Sequence, residues 1–217
     1  MRWKSENPTQ GERESFNEIE KRVFELFHRK GGADYIGHTL LALTGAKPVT
    51  RLEFSLSKQK GKKDTYDITL QKFDSLAHEL RELGLETATV INDAKTWGCI
   101  VIGKERENVD RFVSLEEKGE QLTREEFEDW SILLGYPSTA VKAFISGHPD
   151  YGGTQSLMHP RMEWPKKDFM AICPFLLSRE HMEEELELVK LWAKDVQEQY
   201  PNLYQFLVRE YRKMMHY

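Results

Sequence analysis

Between residues 49 and 102 the spacing of apolar side chains changes three times, and those changes limit the folds open to this chain. Leu52, Phe54 and Leu56 alternate with Glu53, Ser55 and Ser57, and Tyr66, Ile68 and Leu70 alternate with Asp67 and Thr69. A period of two places every second side chain on one face of a strand. Phe73, Leu76, Ala77, Leu80 and Leu83 then fall at spacings of three and four, which predicts a helix that stops at Gly84. Two β-rich runs follow, residues 87–91 and 97–102, with the sequence NDAKT as a hairpin turn between them. The order strand, strand, helix, strand, strand predicts an α+β fold. Its expected core is a small mixed sheet of about four strands with helices packed on one face, and a right-handed crossover joins the second and third strands if they lie parallel.

Helical spacing dominates the flanks. Phe16, Ile19, Val23 and Leu26 predict one helix over residues 12–30, closed by Gly31-Gly32. A second over residues 34–44 turns Ile36, Leu40 and Leu43 inward, with Gly45 and Pro48 beyond its end. Thr123-Arg124-Glu125-Glu126 has the form of a capping box, and its helix should carry Phe127, Trp130 and Leu134 on one face before Gly135 and Pro137 end it. A short helix over residues 138–146 is expected to bury Val141, Phe144 and Ile145. Glu180, Glu183, Glu184 and Glu185 suit the positive end of a helix starting near Ser178, and Pro201 opens a last helix. The whole chain, residues 1–217, is expected to form a single domain: an α+β core over 12–146, a long ordered loop over 147–177 and a C-terminal helical pair over 178–217.

That loop contains Pro149, Pro160, Pro165 and Pro174, half of the chain's prolines. Loops longer than about 15 residues without secondary structure are usually functional or disordered. This one carries aromatics, methionines and Cys173, a composition unlike that of disordered segments. It is therefore expected to be ordered against the rest of the molecule as a recognition surface or pocket cover. Tyr136, His148, Tyr151, His159, Arg161 and Trp164 are its candidate binding residues.

Motifs for specific chemistry are missing from the sequence. His148, His159, Cys173 and His181 lack the close pairing of structural zinc ligands, so no metal or cofactor is expected. Neither Cys99 nor Cys173 sits in a nucleophile signature, and two cysteines give no disulfide framework. Cys99 reads as a small buried hydrophobe in a strand, and Cys173 as an anchor of the loop. The helices at 123–134 and 138–146 have the spacing of a helix-turn-helix, but Glu125, Glu126, Glu128 and Asp129 would repel phosphates. With a net charge of −5, nucleic acid is not the expected partner. No apolar run has membrane-spanning length, and no leader-like stretch opens the sequence, so the expected location is cytoplasmic. The partner expected is a protein or small molecule. Tyr204, Tyr211 and Met215 suggest a homo-oligomer through the C-terminal helices.

Two strings, GAKPVTRLEFSL at residues 45–56 and LGYPSTAVKAFI at 134–145, resemble strings in an uncharacterised group of bacterial proteins. There a G-x-K-P segment precedes an L-G-Y-P helix junction. The likeness covers about half of the chain. It departs where an acidic stretch stands before LGYP in place of a Pro-His pair. The resemblance implies a shared fold with Gly135, Tyr136 and Pro137 as a structural junction, and it carries no activity. The reading favoured by the sequence is a non-catalytic binding or regulatory module. The alternative is a hydrolase or transferase whose site under the same loop uses His148, His159 or His181, with or without a metal.

Overall fold

The computed structural model describes residues 10–27, 33–56, 67–94, 96–147, 157–158 and 165–215. Its α+β architecture centres on three full antiparallel strands, β1 (Val49–Leu56), β3 (Glu86–Ile91) and β4 (Trp97–Gly103). Strand β4 lies in the middle, pairing from Val49↔Gly103 to Ser55↔Trp97 on one side and from Glu86↔Gly103 to Ile91↔Gly98 on the other. The expected fourth strand shrinks to β2 (Asp67–Ile68), a two-residue edge parallel to the end of β1. Its extension to Leu70 fails because Thr69 is a helix cap. The Thr69 hydroxyl accepts from the Lys72 amide at 3.4 Å and starts α4 (Leu70–Glu82), with Leu70 itself exposed. The β3–β4 turn forms as expected, with the Asn92 carboxamide oxygen accepting from the amides of Thr96 and Trp97.

Helices cover both faces of the sheet, rather than one. Leu52, Phe54, Leu56, Ile100 and Ile102 belong to a large core shared with α2 (Glu18–Phe27), α3 (Ala33–Thr44) and α4. Val49, Cys99 and Val101 point the other way, onto α5 (Arg106–Glu116) and α6 (Arg124–Leu133). Helix α5 carries Val109, Phe112 and Leu115 at helical spacing, a signal the sequence contains and the expectation above omitted. The capping box at Thr123 is present in both directions, at 3.2 and 3.0 Å. The α6–α7 hairpin, where α7 is Ser138–Gly147, packs through α6 on α5. Phe144 stays partly exposed and Ala140 takes the buried position in its place.

The expected helix over residues 12–30 is divided into α1 (Gln10–Glu14) and α2, because Asn17 and Glu20 cap the second piece. The Asn17 side chain accepts from the Glu20 amide at 2.9 Å, and the Glu20 carboxylate accepts from the Asn17 amide at 2.8 Å. Ile19 is exposed as a result, and Phe24 and Phe27 join the core. Buried Glu20 also accepts from the amides of Asn202 and Leu203, the first turn of α9 (Pro201–Met215). One carboxylate thus caps two helices far apart in sequence.

The described end of the long loop is built into the core. Residues Asp168–Ile172 make a 3-10 turn against α9, α8 (Met182–Gln199) and α3. Met170, Ile172, Cys173, Phe175 and Leu177 are buried there. Met158 bridges to Ser178, and the Arg179 amide donates to Leu157 at 2.8 Å. Helix α8 starts later than Ser178, since the Ser178 hydroxyl accepts from the His181 amide, and buried Glu185 accepts from the Ser178 amide and hydroxyl. Tyr204 and Tyr211 are buried within the chain, with the Tyr211 hydroxyl donating to Pro165, and Met215 packs against the core. The apolar side chains of α9 that suggested an oligomer are therefore used internally. No helix among the described residues is long and apolar enough to cross a membrane.

Candidate functional site

Beyond Ser55 and Leu56, the edge of β1 that faces away from β4 meets side chains of α3 in place of a strand. The Tyr35 hydroxyl donates to the Glu53 carbonyl, and His38 Nδ1 lies 3.0 Å from the Thr50 hydroxyl. A helix cannot follow a strand edge closely along its whole length, and here it leaves a cavity of about 450 Å³. Its walls come from three places: Ala33 to Leu41 on α3, Arg51 to Ser55 on β1 with Trp97 beside them, and Ala171 to Pro174 from the end of the long loop. Small-molecule sites commonly have volumes of about 300–1,000 Å³.

Asp34, His38, Arg51 and Glu53 supply the charge-bearing part of the wall. Arg51 is held in place: it pairs with Glu116 at 2.7 Å and with Glu53, and it lies 5.3 Å from the centroid of the Trp130 ring. Burial works to lower the pKa of its guanidinium, but Glu116 and Glu53 raise it by more, so its charge is fixed. The Trp130 indole donates to Glu116 at 2.8 Å and completes the support. Cys99, on the same face of the sheet as Arg51, is a buried thiol pushed up to about 12, first by burial and then by Glu116. That is an inert sulfur.

Cys173 is part of the cavity wall, and its electrostatic influence reaches a buried lysine outside that wall. Lys47, in the turn between α3 and β1, is only 2% exposed. Its backbone amide donates to Leu41, another wall residue, at 3.2 Å. Its stem packs against Gly135, where an added Cβ would stand 3.0 Å from Lys47 Cγ and Cε, and its Nζ lies 5.9 Å from the centroid of the Tyr136 ring. Gly135 has a φ of +79°, a conformation open to glycine. The two strings GAKP and LGYP, some 90 residues apart in sequence by the order of the fold, therefore meet side chain to side chain. Among the described residues Lys47 has no carboxylate partner. Burial brings its amine down from 10.5 to about 7, with Cys173 acting in the opposite direction and by less.

Of the six residues singled out from sequence, Tyr136 lies at this centre. It is half-buried, and its ring meets Phe175 of the long loop edge-on at 6.0 Å. His148, Tyr151, His159, Arg161 and Trp164 lie outside the described residues. His181 is on the surface, 3.6 Å from Glu184. Among the described residues no three His, Cys, Asp or Glu side chains converge as metal ligands. Sequence reasoning missed Lys47, His38 and Arg51. A lysine flanked by Ala46, Pro48 and Val49 was the one legible sign, and it was used only as part of a string. No family model, curated protein or solved structure matches the chain.

Proposed function

We propose that this protein is a binding module for a small molecule, with the cavity between α3, β1 and residues 171–174 as its site. The observation that carries the reading is the cavity itself, closed on one side by the end of the loop the sequence had singled out. Supporting it, the cavity has the size of a metabolite site and a wall that mixes Tyr35, Phe54 and Trp97 with His38, Arg51 and Glu53. A pre-paired Arg51 suits orientation of a ligand, because its side chain is already ordered before binding.

Filling the space tests the reading. Purified protein is screened against a metabolite collection by thermal shift and by native mass spectrometry, beside Ala171→Trp and Ser55→Trp, which block the cavity from opposite walls. A ligand that stabilises the wild type and is lost in both folded variants supports the site. A ligand bound equally by wild type and both variants sinks it.

A reaction at the same place, the transferase or hydrolase alternative, draws its support from Lys47 and Cys173 rather than from histidines. The Cys173 thiol on the cavity wall, within electrostatic reach of the buried Lys47 amine, is the specific observation in its favour.

A further inference from the structure

We propose that the cavity takes a short basic peptide, bound in extended form as a strand added to the open edge of β1. The proposal rests on the cavity being the binding site and names the class of its ligand. The hydrogen bonds of β1 show which backbone groups are open. In an antiparallel pair, alternate residues turn their amide and carbonyl toward the partner strand. The Leu56 amide donates to Thr96, and the Glu53 carbonyl accepts from Tyr35 on α3. Even-numbered residues of β1 therefore face β4, and Arg51, Glu53 and Ser55 turn their backbone groups to the outer edge. At Ser55 and Leu56 that edge is taken by β2. Among the described residues no hydrogen bond reaches the Arg51 carbonyl or the Glu53 amide from the outer side. Arg51, Glu53 and Ser55 all line the cavity, so the open edge faces into it.

The Arg51 carbonyl and the Glu53 amide are the pair that one residue of a parallel strand uses. A ligand residue opposite Leu52 would donate its amide to Arg51 and accept from Glu53, leaving the Tyr35 bond intact. Strand β2 already pairs with this edge in the parallel sense. A ligand of three residues would extend that pairing by roughly 10 Å.

The walls of the cavity alternate as a strand's side chains do. Arg51, Glu53, Ser55 and Trp97 belong to the face of the sheet covered by α5 and α6. Phe54, Leu41 and Ile172 belong to the apolar core on the other face. The ligand residue opposite Leu52 places its side chain on the apolar side, and its two neighbours place theirs on the polar side. Charge selects those neighbours. Arg51 is shared by two carboxylates, Glu53 and Glu116, so the cluster holds one negative charge in excess. Glu53 is its accessible member, with 48% of its side chain exposed. A lysine or arginine on the ligand meets that carboxylate and the ring of Trp97.

The test titrates acetyl-Lys-Leu-Lys-amide into the full chain by calorimetry. The wild type should bind it at concentrations up to about 1 mM, and folded Ala171→Trp and Ser55→Trp should not. N-methylation of the leucine removes the amide that the Arg51 carbonyl needs, and should weaken binding about tenfold or more. Acetyl-Glu-Leu-Glu-amide should lose a similar factor. The bound peptide should also slow hydrogen exchange at the Glu53 amide by about tenfold or more. Equal binding of the N-methylated and parent peptides, or unchanged exchange at Glu53, overturns the added strand. Equal binding of the acidic and basic peptides overturns the charge selection, and binding unchanged in both tryptophan variants overturns the whole proposal. A metabolite bound by wild type and lost in both variants, with no peptide bound, overturns the peptide and leaves the binding site standing.

Discussion

Replacing Lys47 with methionine should stabilise the protein, by an amount that depends on pH. Methionine has nearly the same reach and volume, and it needs no solvation at its tip. In the folded chain the Lys47 amine titrates near 7, and in the unfolded chain near 10.5. Between those values the unfolded state holds a proton that the native state has released. Stability of the wild type therefore rises with pH across this window, and the lysine's penalty is largest below about 7. The shift corresponds to about 5 kcal/mol at its low-pH limit, to about 4 kcal/mol at pH 7 and to about 2 kcal/mol at pH 9. Loss of the amine's contact with the Tyr136 ring would return up to about 1 kcal/mol. The assay is urea unfolding of both proteins at a series of pH values between about 7 and 9, taking the difference so that other titrating groups cancel. The difference in favour of Lys47→Met should shrink by about 1.4 kcal/mol per pH unit as pH rises. Parallel pH profiles for the two proteins, or a less stable variant at pH 7, would refute the account of Lys47 as a buried neutral amine.

Three further perturbations test the frame around the site. Glu20→Ala strips the acceptor from the amides of Asn17, Asn202 and Leu203 and from the Asn202 carboxamide; leaving such donors unpaired should cost about 3 kcal/mol or more in denaturant unfolding. Thr39→Val should do the reverse, since the buried Thr39 hydroxyl has no hydrogen-bond partner among the described residues; a gain of about 1 kcal/mol is expected by the same measurement. Gly135→Ala meets both a positive φ and the Lys47 stem at 3.0 Å; it should lower stability by about 1–2 kcal/mol, and the shape of the Lys47 titration should change with it.

The sheet was legible because its strands obey a period of two that only a half-buried surface imposes, as in Leu52, Phe54 and Leu56 against Glu53 and Ser55. Turn chemistry at Asn92, the glycine stops at Gly84 and Gly135, and the capping box at Thr123 were equally local and equally visible. What escaped was decided by partners distant in sequence. Glu20 looks like an ordinary surface charge of an amphipathic helix until α9 delivers two amides to it. Ile19 is the local exception: it looks inward until the neighbouring Asn17 cap resets the helix. Arg51 reads as the exposed position of a strand, yet Glu116 and Trp130 close over it from α5 and α6. Where the structure describes the long loop, Ile172, Phe175 and Leu177 are buried in the core. Its candidate residues His148, Tyr151, His159, Arg161 and Trp164 lie outside the described residues.

Lys47 stands apart energetically because its amine is buried with no carboxylate partner among the described residues. A domain's whole stability is about 5–15 kcal/mol, so a cost of several kcal/mol at one side chain is a large fraction of it. Other charged groups in the described interior have partners: half-buried Arg51 has Glu116 and Glu53, Glu185 has Ser178 and Thr139, and Glu210 has Lys213 at 3.0 Å. Lys47 has the ring of Tyr136 and the sulfur of Cys173, neither of which neutralises a full charge. A filler of the same shape would do the packing against Gly135 better as methionine or leucine. The burial that weakens the fold is the burial that lowers the Lys47 pKa, which is why the stability gained in Lys47→Met should follow the titration of that one amine.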